Sequence, residues 1–153
     1  MSLHHRLRRR SRSRAAARLA AVQALYQRQM EGTHLARLLD EFHQHRLGAE
    51  IEEEQYHAAE VDFFDDVVSG AVAREEEIDA ILSARLAEGW SLQRLDKTML
   101  QILRAGTYEL LARADVTKAV AISEYVDVAK AFFDDREAKF VNGVLDAVAK
   151  DVR

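Results

Sequence analysis

Val120 to Val148 reads VAISEYVDVAKAFFDDREAKFVNGVLDAV. Ala121, Tyr125, Val128, Ala129 and Phe132 recur at three- and four-residue steps, which is the spacing of one helical face. Phe140, Val141, Val144, Leu145 and Val148 repeat the pattern. The stretch therefore predicts two helices joined by a short acidic turn. Asp134-x-x-Glu137 in that turn has the form of a capping box. Gly143 falls inside the second helix, where glycine costs about 1 kcal/mol against alanine. Its presence there predicts a close approach by another backbone.

Upstream, the same period continues. Met99, Ile102, Leu103, Tyr108, Leu110 and Leu111 predict a helix from about Lys97 to Arg113, with Asp96 as its cap. Ile78, Ile81, Leu82 and Leu86 predict another, set off by Glu75-Glu76-Glu77 and stopped at Gly89. Trp90-Ser91 opens the segment between these two. Val61, Phe64, Val68 and Val72 mark a helix that follows the acidic segment Glu50 to Glu60. Leu35, Leu38, Leu39 and Phe42 mark one over His34 to Arg46, closed by Gly48. Leu19, Val22, Leu25, Tyr26 and Met30 mark the first, from about Arg14 to Met30, ended by Gly32. Gly70 and Gly106 are interior glycines like Gly143, and predict close helix crossings. The fold class is all-α, with about seven helices.

Composition agrees. The 153 residues fit one domain, 48% are apolar, and there is no proline and no cysteine. Absent cysteine excludes disulfides, thiolate nucleophiles and cysteine-based zinc sites. Residues 1–13 are basic, polar and aperiodic, and read as a flexible arm before a single helical domain over 14–153. No acidic residue precedes Glu31, whereas eight arginines do: Arg6, Arg8, Arg9, Arg10, Arg12, Arg14, Arg18 and Arg28. That leaves 14 of the 22 basic residues to face 26 acidic ones. A basic end on an acidic body suggests a polyanion site at one end and a different partner elsewhere. An arginine- and serine-rich, acid-poor start also fits a mitochondrial presequence.

Catalytic patterns are missing. There is no G-x-S-x-G elbow and no phosphate-cradling glycine motif. Asp65-Asp66 and Asp134-Asp135 read as solvated carboxylates. Glu54-x-x-His57 has the spacing of half a di-metal site, but its second half is absent. No cofactor and no metal is expected, and the chain is not read as an enzyme. Clustered guanidiniums match phosphate oxygens, and RNA readers add aromatic faces for unstacked bases. Tyr26, Phe132 and Phe140 are candidates for those faces, with Lys130 and Lys139 near them in sequence. An aromatic on an apolar stripe is more often a core residue than a base platform, so both roles stay open at this point.

Specific blocks add to this. Ala21-Val22-Gln23-Ala24-Leu25-Tyr26, Phe63 to Gly70, Ile102-Leu103-Arg104 with Tyr108-Glu109-Leu110, Val120 to Glu124 and Lys139 to Asp146 resemble the NusB transcription antitermination family, in order, over roughly Arg12 to the end. The resemblance implies two three-helix bundles and a cytoplasmic, non-catalytic factor. It implies binding to boxA RNA of ribosomal RNA leader transcripts together with NusE, a small-subunit ribosomal protein, within the antitermination complex of RNA polymerase, and no membrane. Arg10, Arg12, Arg14 and Arg18 would hold phosphates, while Tyr26, Phe132, Lys139 and Phe140 would line the same RNA surface. The chain departs from the family pattern with Thr117 in place of a common proline, Phe133 in place of a common glycine, and Asp134-Asp135-Arg136 in the turn. The oligomeric state stays open, a homodimer included. Two other readings stand beside this one. One is a helical protein-interaction domain without RNA binding. The other is an RNA-guiding region like those of some rRNA methyltransferases, which needs an appended cofactor-binding domain that the sequence does not carry.

Overall fold

The structure is a computed structural model that describes residues 2–45 and 54–153, with side chains described at all of these except 6, 7, 9, 10, 45 and 54–59. Among the described residues there are seven α-helices, one short 3-10 helix and no strand. The chain divides into two compact units, Met1–Ser69 and Gly70–Arg153.

The first unit holds α1 (Leu3–Glu31), α2 (Leu35–His45) and most of α3 (Glu54–Ala73). Ala17, Ala21, Val22 and Ala24 of α1 are fully buried, as are Leu38 of α2 and Phe64 of α3. Phe42 stacks on Phe64 at a centroid distance of 5.5 Å. Nε2 of His43 sits 2.5 Å from Oδ1 of Asp65, joining α2 to α3 beside that ring pair. Gly32 ends α1 in the left-handed conformation (φ 68°), and its N–H donates to the Arg28 carbonyl. Such a conformation costs glycine little, because it carries no β-carbon to clash.

The arm expected over residues 1–13 is drawn into α1. Ser2 caps the helix by accepting from the His5 N–H, Arg8 donates to the His4 ring one turn away, and Ser13 is buried. No proline or glycine precedes Gly32, and arginine and leucine are good helix formers, so nothing breaks the helix between the cap and Gly32. The Gly48 helix stop and most of the acidic segment from Glu50 lie outside the described residues or their described side chains.

The second unit holds the last turn of α3, then α4 (Glu75–Ser83), the 3-10 helix (Leu92–Arg94), α5 (Lys97–Ala112), α6 (Lys118–Phe132) and α7 (Asp135–Val152). Here α5, α6 and α7 pack on one another as a three-helix bundle, and α4 lies along α5. Val141, Leu145 and Val148 of α7 are fully buried. Each contributes roughly 1.5–3 kcal/mol by leaving water. Gly106 is where α5 meets its neighbours: a β-carbon there would come within 2.9 Å of a Leu145 methyl and 3.3 Å of the Tyr125 ring. Gly143 does not play that part, since nothing lies within 4 Å of its hypothetical β-carbon and it faces solvent.

Caps set the helix starts. Asp96 accepts from the Thr98 and Met99 amides at 2.8 and 3.2 Å. Thr117 accepts from the Val120 N–H at 3.2 Å and so starts α6. The predicted capping box of α7 does not close. Asp134 occupies the cap position, but its exposed side chain makes no cap bond, and Oε2 of Glu137 is buried without a hydrogen-bond partner. α7 is started instead by its backbone, with the Ala138 N–H donating to the Asp134 carbonyl.

Ion pairs tie the second unit together. Arg104 bridges Glu75 and Asp79 of α4 at 3.0 and 2.8 Å. Arg85 grips Asp151 at the end of α7, and this hydrogen bond holds the Asp151 carboxyl below its usual range. Arg153 donates to the carbonyls of Leu110, Arg113 and Val116, capping the C-terminal end of α5 with positive charge.

Candidate nucleic-acid interface

In the first unit, α1 carries the basic and aromatic candidates. Arg12 is exposed, and Arg10 lies on the same helix with its side chain outside those described. Arg14 and Arg18 are one turn apart and both lie over the Phe63 ring, at 4.7 and 4.9 Å from its centroid. Arg14 is half-buried. Arg18, expected as a phosphate ligand, is instead 2% exposed, so its guanidinium faces the inside of the unit. Cation–π contact with Phe63 contributes to holding a charged group there. Tyr26 is 39% exposed, and Met30 one turn later is 55% exposed.

In the second unit, the C-terminal hairpin supplies the rest. Phe132 is 42% exposed and Phe140 38%. Periodicity alone leaves both between core and surface. Phe132 lies four residues after buried Val128, but it is the final residue of α6, so the apolar stripe runs off the helix end. Phe140 falls beside the buried line of α7, which runs Ala138, Val141, Val144, Leu145 and Val148. Phe132 and Phe133 have ring centroids 6.4 Å apart. Lys130 and Lys139 are exposed, and so are the turn carboxylates Asp134 and Asp135.

All three aromatics singled out in the sequence are therefore wet, with a lysine adjacent to Phe140. Exposed aromatic faces next to ammonium groups are what stacking on bases and pairing with phosphates require. Trp90 reads in sequence only as the opening of a segment, yet it is 55% exposed with Arg94 stacked 5.3 Å from its ring. Arg94 also donates to the Gly89 carbonyl at 2.6 Å, which fixes the pair on the α4–α5 connection. The signal available in sequence is a single tryptophan followed four residues later by arginine. Among the described residues no cluster of three or more His, Asp or Glu could hold a metal ion.

A profile of the NusB family matches residues 15–150. The chain belongs to the NusB family. It is 72% identical over 142 residues to the transcription antitermination protein NusB of Novosphingobium aromaticivorans, covering 93% of this chain and 96% of that one. It is 65% identical to that of Sphingopyxis alaskensis, covering 94% and 97%. Among solved structures it resembles NusB of T. maritima, with TM-score 0.75 and 32% identity over 90% of this chain and 91% of that one. It also resembles a chain in the crystal structure of antitermination factors NusB and NusE in complex with dsRNA. There the TM-score is 0.77 and the identity 29%, covering 92% and 98%. As a NusB protein the chain is a non-catalytic transcription antitermination factor of the cytoplasm. No helix among the described residues is long and apolar enough to cross a membrane.

Proposed function

We propose that the chain binds boxA RNA of ribosomal RNA leader transcripts together with NusE, and so joins the antitermination complex of RNA polymerase. The observation that carries this reading is the exposure of Tyr26, Phe132 and Phe140, each an aromatic that water disfavours and a base can cover. Support comes from the solved NusB relative, which is in complex with NusE and dsRNA. In this reading Arg10, Arg12 and Arg14 take phosphates from α1. Tyr26 stacks on a base, and Phe132, Lys139 and Phe140 serve the RNA from the hairpin. Arg18 serves indirectly, by bracing α1 on Phe63.

Electrophoretic mobility shift with a boxA-containing single-stranded RNA, with and without NusE, tests this. The complex forms more tightly with NusE. Phe140→Ala weakens it about fivefold or more, the loss of one stacked base at roughly 1–3 kcal/mol. An RNA left unshifted by the mixture at low salt overturns the reading.

A further inference from the structure

Between α6 and α7 lies an open groove of about 360 Å³. That is the lower end of the range of small-ligand sites, about 300–1,000 Å³. Its α6 side carries Ile122, Val126 and Lys130, which follow one another at four-residue steps and so form a line along the helix. Ile122 is buried, Val126 half-buried and Lys130 exposed. Asp127 also lines the groove from α6, and Asn142 and Asp146 line it from α7, one helical turn apart. Lys139 lies three residues before Asn142, on the same side of α7. The lysine proposed above to serve the RNA thus stands one turn from the groove on α7, without lining it.

The lining is apolar within and polar in both senses outside. Carboxylates only accept hydrogen bonds, whereas the Asn142 amide both donates and accepts. A phosphate seated between Asp127 and Asp146 is repelled by them, so an anion is accepted only beside Lys130. A cationic peptide finds little unmatched charge, because Lys130 shares the groove and the Lys150 ammonium lies 3.7 Å from the Asp146 carboxylate. A neutral, flat group with apolar faces and amino hydrogens on its edge meets every part of the lining. Resting on the RNA reading above, we propose that this groove holds one unstacked nucleobase of the bound RNA. Its exocyclic amino group is read by Asn142 with the neighbouring carboxylates, and Lys130 meets its phosphate.

The test measures affinity for a boxA-containing RNA and for analogues that lose one exocyclic amine each: inosine for guanosine, purine riboside for adenosine, 2-pyrimidinone riboside for cytidine. With the wild-type chain and NusE, one position loses about tenfold in affinity, which corresponds to about 1.4 kcal/mol. In Asn142→Ala, an exposed site whose truncation leaves the core intact, that drop shrinks to less than about twofold while drops elsewhere persist. Lys130→Ala weakens all analogues alike, as removal of a phosphate partner does. The inference is overturned if no single amine matters, if the drop is unchanged in Asn142→Ala, or if that variant loses NusE affinity in place of base discrimination. Failure of the unmodified RNA to bind the wild-type chain with NusE overturns the RNA reading itself, and this inference with it.

Discussion

An added β-carbon at Gly70 would overlap the phenol end of Tyr108, which is buried at 6% exposure, so the ring would have to shift. Gly70→Ala is expected to destabilise the protein by about 1–3 kcal/mol, the usual cost of overpacking. Gly143→Ala is expected to do the opposite, stabilising by about 1 kcal/mol, since nothing crowds the site and alanine is the better helix former. Urea unfolding of the two variants measures both, and equal signs for the pair would refute the assignment. Glycine spacing alone predicts three crossings. It does not separate a glycine that makes room from one that merely faces water, because that difference lies in the partner helix. The reverse holds at Arg18. Its type announces a phosphate ligand, and only the position of Phe63 shows that the guanidinium is spent inside the unit.

The helices themselves are legible in the sequence wherever a stripe meets a breaker or a cap. Asp96 is the plainest case: a carboxylate before an apolar run, which in the structure accepts from two orphan amides. Asp96→Ala is expected to lower stability by about 1 kcal/mol. Asp134→Ala, at a cap position whose side chain makes no such bond, should stay within about 0.5 kcal/mol of the parent. Thermal melts of the two variants decide between a bonded and an idle cap. The start of α1 is not legible, because the stripe begins near Arg14 while the helix begins at Leu3. Leu3, His4, His5, Arg8 and Arg12 are exposed, and exposed residues leave no apolar periodic trace even when their backbone is helical. Phe132 is ambiguous for a related reason: a stripe in sequence does not reveal where its cover stops.

At the scale of the molecule, charge separates along the chain. Basic residues gather before Glu31, and every acidic residue stands at or after it. Binding of RNA is therefore expected to weaken steeply with salt, because phosphates neutralised by arginine release their counterions. Deleting residues 2–13 should lower the affinity and also flatten the plot of log affinity against log salt, by about 0.7 for each single-strand phosphate that is no longer neutralised. Fluorescence anisotropy across a salt series reads both quantities. An unchanged slope would mean that the basic segment touches no phosphate. The family is legible because its blocks carry chemistry in fixed order. The division after Ser69 is not, since it falls inside an unbroken helix and leaves no linker in the sequence.

The chain has one tryptophan, and it stands in the open on the α4–α5 connection with a guanidinium over its ring. An indole already bathed in water emits near the red end of its range before any denaturant is added. Its fluorescence is thus a poor witness to unfolding, and circular dichroism is the better probe of the melts above. The same exposure makes it a sensitive label for docking. A protein that settles on this connection will shift the emission to the blue, while RNA held elsewhere will leave it dark to the event.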